Sequence, residues 1–291
     1  MLDKYDPCHV RGNPGLELAY SLTDWFRVGT RHIKVWRLGD TSSSAPVPAP
    51  VALSARNCLL GDLVDSVFTC IASISDTEAV VCTESGAVCL FDDTGNQQKL
   101  YLVKILGFGI YSVAVDFEAS EVWLGGRDRS FQNLSFDDLR SSLGRISPPA
   151  PISPRQIPKS KAPAIVSMGI ISNQVITVDS TRAIRVCSLE EIDQGPIDEA
   201  AHISVPAHED AVLGVGALKN PGSFSADIFT WSSDGVVSFW DLQGKCRATR
   251  QIEIELLSRD DENTNELKIL RAVEDTAMFV SGDKYGVLRS A

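Results

Sequence analysis

Residues 207–241 read AHEDAVLGVGALKNPGSFSADIFTWSSDGVVSFWD. A His-initiated turn leads into an apolar run, a second run ends at Ser232-Ser233-Asp234-Gly235, and a third ends in Trp240-Asp241. Short runs rich in β-branched and aromatic residues, bounded by Gly, Asp, Asn and Ser, predict strands rather than helices. An Asp-Gly pair between two such runs predicts a tight hairpin, because these residue types tolerate the positive φ that the turn demands. The stretch therefore predicts three successive antiparallel strands.

Weaker copies of the same order stand at residues 18–38, 67–91, 110–134, 164–189 and 266–289. Their turn markers, Gly86, Asp128, Ser180, Asp234 and Asp283, recur at roughly blade-sized intervals, a blade taking ~40–45 residues. The spacing stretches where loops are inserted. Residues 18–291 are thus expected to form an all-β propeller of about six recognisable blades. The last copy stops in its third strand, at YGVLRSA, so the sixth blade is expected to be incomplete and the ring open, or part of a longer architecture. Residues 1–17 contain the turn Gly12-Asn13-Pro14-Gly15 and supply at most one closing strand. Two segments break the pattern: GDTSSSAPVPAP at 39–50 and a longer Pro/Ser-rich stretch at 138–163. Proline removes an amide donor from the ladder, so both are expected as loops.

Composition narrows the function. The chain has 291 residues, with 27 Lys or Arg against 38 Asp or Glu, a formal net charge of −11. That balance argues against a general nucleic-acid binder, which needs a basic footprint. No run approaches the ~18 apolar residues of a membrane span, and MLDKYDPCHVRG shows no secretory pattern. Seven cysteines are spread without any C-x-x-C pair, mostly inside apolar runs such as VFTCIASI, where a thiol fills core space. A reducing, cytoplasmic interior fits such usage. No metal and no cofactor are expected.

His208, Thr230 and Asp234 have the residue types of a nucleophile–base–carboxylate set. A structural role is favoured. The unit 207–241 resembles a WD-repeat blade, and that resemblance implies a hydrogen-bonded tetrad of His208, Thr230, Asp234 and Trp240 pinning the outer turn to the strands. The glycines at 125–126 and 282 precede strands rather than helices, so hairpin turns are expected there and not phosphate cradles. The acidic run at 260–266 lacks the central glycine of a calcium loop and reads as a solvated loop.

The insert carries the local basic charge. From Arg127 to Lys161 there are seven basic and three acidic residues. Arg145, Arg155, Lys159 and Lys161 form a candidate basic patch. Ser147-Pro148 and Ser153-Pro154 are candidate sites for a proline-directed kinase, whose phosphate adds about −1.5 to −2 charges beside Arg145 and Arg155.

At GTRHIKVWRL, residues 29–38, the sequence becomes more specific. Gly29, Arg31, His32, Lys34 and Trp36 resemble a signature shared by the echinoderm microtubule-associated-protein-like group and the mitogen-activated-kinase-binding WD-repeat scaffolds. CLLG at 58–61, followed by VFTCIAS, resembles the next connector and strand of those families. The resemblance implies a non-enzymatic scaffold whose partners are proteins, either kinase-pathway components or tubulin. The acidic balance favours kinase signalling in the cytoplasm over a cytoskeletal location, since a microtubule lattice is itself acidic. A propeller-fold enzyme is the least favoured reading, because few histidines remain outside structural positions.

Overall fold

The computed structural model describes residues 10–11, 17–20, 24–37, 55–94, 98–141, 163–171, 173–189, 205–206, 208–218, 225–252, 266–272, 278–283 and 288–290. The chain divides into two compact units: residues 1–9, 13–123 and 133–159 in the first, and 10–12, 124–132 and 160–291 in the second.

Six antiparallel sheets follow one another along the chain, as the repeat spacing predicts. The strand β1 (Val10–Arg11) belongs to the second unit. The first sheet then pairs β2 (Glu17–Tyr20), β3 (Asp24–Gly29), β4 (His32–Arg37) and β5 (Ala55–Asn57) in sequence order. The second holds β6 (Phe68–Ser73), β7 (Glu78–Thr83), β8 (Ala87–Asp92) and β9 (Lys99–Ile105). The third holds β10 (Ile110–Asp116), β11 (Glu121–Gly126) and β12 (Phe131–Ser135), followed by helix α1 (Phe136–Ser141). In the fourth are β13 (Ile165–Ile171), β14 (Gln174–Asp179), β15 (Ala183–Ser188) and β16 (Val205–Pro206). The fifth, which contains the opening stretch, comprises β17 (Val212–Ala217), β18 (Ile228–Ser232), β19 (Val236–Trp240) and β20 (Cys246–Gln251). The sixth has three described strands, β21 (Leu267–Ala272), β22 (Phe279–Asp283) and β23 (Leu288–Ser290). Within the second unit, β1 lies beside β17 and β21.

The segment 39–50 lies outside the described residues, as does 142–162 of the stretch expected as a loop at 138–163. The first four residues of that stretch are helical instead. Ser135 Oγ accepts the Asp138 amide at 3.0 Å, capping α1, while Asp137 and Asp138 sit at its positive end and Arg140 at its negative end. Leu139 is buried, and Arg140 makes a forked contact with Glu78 of β7, its closest approach 2.6 Å.

One register feature recurs. The inner strand begins with a buried apolar residue opposite the last residue of the second strand: Phe68 faces Thr83, Ile165 faces Asp179, Val212 faces Ser232 and Leu267 faces Asp283. Directly after each pair the ladder shifts by one residue. Such a bulge bends the strand and sharpens its twist, and here it is shared by four sheets whose sequences differ.

Cores lie between the sheets of each unit. In the first unit Phe26, Val28, Ile33 and Val35 pack with Phe68, Ile71, Val81, Cys89 and Phe91. Cys58, Cys70, Cys82, Cys89 and Cys187 are buried, and burial pushes the Cys58 thiol up to about 12, with Asp93 adding to the shift. In the second unit Phe229 stacks on Trp231 at 5.7 Å between ring centroids, and Phe279 meets Phe229 edge-on. These rings occupy space ceded by β17. Gly214 pairs with Trp231 and Gly216 with Phe229, and a Cβ at Gly214 would stand 2.2 Å from the Trp231 ring.

Because Trp231 is fully buried and rigid, Gly214→Ala is expected to lower stability by ~2–3 kcal/mol. Gly107→Ala, where an added Cβ meets nothing within 4 Å, should be close to neutral. Urea unfolding of the two variants checks the difference.

Candidate functional site

The fifth sheet joins the residues singled out in the opening stretch through a continuous polar chain. Trp240 Nε1 donates to Thr230 Oγ1 at 2.8 Å, and Thr230 Oγ1 lies 2.7 Å from His208 Nε2. His208 Nδ1 lies 3.0 Å from Ser232 Oγ, which in turn donates to Asp234 Oδ1. Asp234 closes the turn by accepting the Val236 amide at 3.2 Å. Thr230 and Ser232 alternate with Trp231 on β18, so both hydroxyls face the histidine while the indole of Trp231 enters the core. Ser232 is a fifth member that the reading of the sequence passed over; it separates His208 from Asp234.

The proton positions follow from the acceptors. Asp234 as a carboxylate only accepts, so the Ser232 proton is directed to it in preference to the neutral Val236 carbonyl at 3.2 Å. Ser232 Oγ therefore accepts from His208 Nδ1–H. In the neutral ring Nε2 then lacks a proton and accepts from Thr230, whose own lone pair takes the Trp240 N–H. Donation runs one way on each side of the imidazole, and both ring nitrogens and both hydroxyls are used. Burial lowers the His208 pKa to about 4, with the Asp234 charge opposing part of the shift, which keeps the ring neutral. Thr230 Oγ1 is fully buried and also accepts the Trp240 N–H, so this set of bonds ties the turn to the strands.

Other sheets close the same turn with different chemistry. In the second sheet Thr83 Oγ1 accepts the Ala87 amide at 2.9 Å and lies 2.9 Å from Ser85 Oγ. Gly86, at φ 86°, completes that turn, where a Cβ would meet the Leu106 and Phe108 carbonyls at 2.6 Å. In the fourth sheet the device is ionic. Asp179 Oδ1 accepts the amides of Thr181 at 2.8 Å and Ala183 at 3.2 Å, while Oδ2 takes Arg185 at 2.6 Å and Arg129 at 3.2 Å. Burial would raise this carboxyl, but bonds from Thr181 and Arg185 outweigh it and hold Asp179 below the ordinary carboxylate range. Arg129, in the turn after β11, is further fixed by its amide on the Pro163 carbonyl at 3.0 Å.

The residues that resemble the scaffold signature form one hairpin. Gly29 ends β3 opposite His32, and Arg31 occupies the turn at φ 62°. The Arg31 amide donates to the Ser66 carbonyl at 2.9 Å, and its guanidinium meets Asp65 at 2.9 Å in an exposed pair. His32 Nδ1 lies 3.0 Å from the Thr30 carbonyl. Lys34 and Trp36 pair with Asn57 and Ala55 of β5. The CLLG connector runs from the Cys58 amide, bonded to Ile33, into a short 3-10 turn at Gly61–Leu63. Ser147, Ser153, Arg145, Arg155, Lys159 and Lys161 lie outside the described residues. Among the described residues no group of three His, Cys, Asp or Glu is placed to hold a metal ion, and no helix is long and apolar enough to cross a membrane.

Sheets in series, with the second turn closed by a buried polar residue in the second, fourth and fifth of them, are the arrangement of a β-propeller. Comparison with solved structures gives the type: the chain is similar to the WD40 β-propeller domain of Doa1, with a TM-score of 0.51 and 17% identity. The alignment covers 78% of this chain and 65% of that one. The fold is that of a WD40 propeller. No protein-family model and no curated protein matches the sequence.

Two outcomes are expected. An unfolded histidine of pKa 6.5 takes up a proton below that pH, whereas folded His208 does so only near 4. The stability it contributes is therefore complete above pH 6.5 and lost as pH falls toward 4, up to ~3 kcal/mol. Denaturation series from pH 7 to 4 should show a shallower acid loss in His208→Asn than in the parent. Asp179→Asn removes the carboxylate that buried Arg185 faces and should cost about 3 kcal/mol, read as a lower urea midpoint with unchanged slope.

Proposed function

We propose that the chain is a non-enzymatic scaffold that holds other proteins together, with kinase-pathway components as its partners in the cytoplasm. The observation that carries this reading is the division of labour at the second-to-third-strand turns. Their buried hydroxyls, His208 and Asp179 are committed to rigidity, while neighbours such as Thr181, Glu209, Asp210 and Asp234 are exposed. A rigid frame displaying variable polar loops suits recognition without chemistry. The resemblance of Gly29, Arg31, His32, Lys34 and Trp36 to the mitogen-activated-kinase-binding scaffolds supports the partner class. Phosphorylation of Ser147 and Ser153 would tune such contacts by placing negative charge beside Arg145 and Arg155.

A second reading, association with microtubules, rests on the same signature and on the basic residues of the insert. An acidic lattice repels a chain of net charge −11 unless Arg145, Arg155, Lys159 and Lys161 counter it.

The two readings separate in one experiment. The purified chain and its Arg145→Glu, Arg155→Glu, Lys159→Glu, Lys161→Glu variant are tested for binding to purified mitogen-activated kinases and for pelleting with microtubules. The scaffold reading expects kinase binding by both proteins and pelleting by neither. Pelleting by the parent alone would establish the microtubule reading, and binding by neither protein in either assay would remove both.

A further inference from the structure

The outer strand of the second sheet, β9, has seven residues, and no described strand lies along its far side. Elsewhere β5 and β16 have three and two residues, and β12 leads into α1. The six residues of β20 are engaged by their own side chains: Arg247 meets Asp241 at 2.6 Å, and Arg250 Nη1 donates to the Thr249 carbonyl at 3.0 Å.

The chain itself begins a pairing on the edge of β9 and then abandons it. The Leu59 amide donates to the Gln98 carbonyl at 3.2 Å, and Leu59 forms a single parallel bridge with Lys99. From Leu60 the connector turns away into the 3-10 turn at Gly61–Leu63. A main chain therefore already fits beside β9, but only at its first residue. Ladder alternation fixes which groups lie open beyond that point. The Gln98 carbonyl faces outward, so the N–H and C=O of Leu102, four residues on, face outward too. At the far end the Leu106 amide donates inward to the Gly86 carbonyl at 2.8 Å, which turns the groups of Ile105 out. The register shift between Val88 and Cys89 carries the outward positions from even to odd numbers.

Charge selects what completes this edge. Residues 94–109, TGNQQKLYLVKILGFG, contain Lys99 and Lys104 and no acidic residue, in a chain of net charge −11. Both lysines are exposed, and among the described residues no carboxylate forms an ion pair with either. Asp92 stands opposite Lys99 in the ladder, but its Oδ1 accepts the Thr94 amide at 2.8 Å instead. Leu59, 55% exposed, adds an apolar side chain where the open stretch begins. A second copy of the same edge is repelled by its own lysines, a protection common on exposed strands. An acidic strand is attracted, and its main chain can meet the outward groups of Leu102 and Ile105.

We propose that β9 is a docking strand for an acidic, extended segment of a partner protein, which continues the pairing that Leu59 begins and sets its carboxylates against Lys99 and Lys104. The proposal gives a surface and a partner chemistry to the scaffold reading and rests on it for the class of partner.

The test follows the fluorescence anisotropy of a fluorescein-labelled peptide, EVTVTVE, titrated with the purified chain. Binding is expected for EVTVTVE and not for KVTVTVK or for EVTVTVE with alternate amides N-methylated. The Leu102 and Ile105 amides should exchange more slowly in the complex. Lys99→Glu with Lys104→Glu should weaken binding by about tenfold or more, with the near-ultraviolet circular dichroism retained as proof of folding. Equal binding of the N-methylated peptide would overturn strand addition in favour of charge alone. Undiminished binding by the double lysine variant would overturn the assignment to β9. A dimer of the chain that the peptide disperses, seen by sedimentation, would assign the edge to a second copy and overturn the partner. No binding in any form would overturn the proposal, while kinase binding by the chain would leave the scaffold reading standing.

Discussion

Closure of the turn between the second and third strands of a sheet is the constraint on which the rest of this fold depends. That turn returns the chain over the opening of the inner strand, where a bulge has already shifted the register by one residue. A buried side chain at the end of the second strand fixes the pairing there. Thr83, Asp179 and Ser232 each hold the turn by a side-chain oxygen, directly or through a neighbour two residues on. Buried polar groups of this kind are costly when unsatisfied, so a slipped register is penalised more heavily than loss of apolar contact alone would penalise it.

The solutions differ in how they meet the electrostatic cost. The fifth sheet stays neutral at its centre: a burial-depressed histidine passes hydrogen bonds between two hydroxyls, and the one carboxylate, Asp234, is exposed. The fourth sheet buries its carboxylate and surrounds it with two guanidinium groups and two amides. The neutral device responds to acid through its histidine. The ionic one depends on geometry, since desolvated charges gain from one another only while all their partners are in place.

The sequence made the fifth sheet legible because its turn carries the Asp-Gly pair and its third strand ends in Trp240. The other copies were found through period and turn residues, although their closures share no residue type. What they share is a polar residue, a spacer, a second polar or small residue, and an apolar strand start: Thr83-x-Ser85, Asp179-x-Thr181 and Ser232-x-Asp234. That pattern was visible in retrospect, but it is degenerate, and only the ladder register shows that the positions coincide. Ser232 escaped notice because Thr230 alone satisfied the expected set. Helix α1 was hidden because the prolines that follow it dominate the composition, although Ser135 and Asp138 carry a capping signal just before Leu139. The ionic cluster was not readable at all, since Arg129 and Asp179 are 50 residues apart.

The glycines of β17 have a consequence for how this sheet changes over generations. Gly214 and Gly216 hold no volume of their own; they are the hollow into which Trp231 and Phe229 fit. Each glycine and its ring make up one unit of shape shared between two strands. A larger residue at 214 becomes acceptable once 231 has shrunk, while a smaller residue at 231 leaves a void that a larger 214 then fills. The two orders are unequal. Losing the ring first costs a cavity that neighbours partly collapse into, whereas filling the hollow first forces a rigid ring against a strand already held by its turn. Drift at these positions is therefore channelled through the aromatic partner, and the bare strand follows.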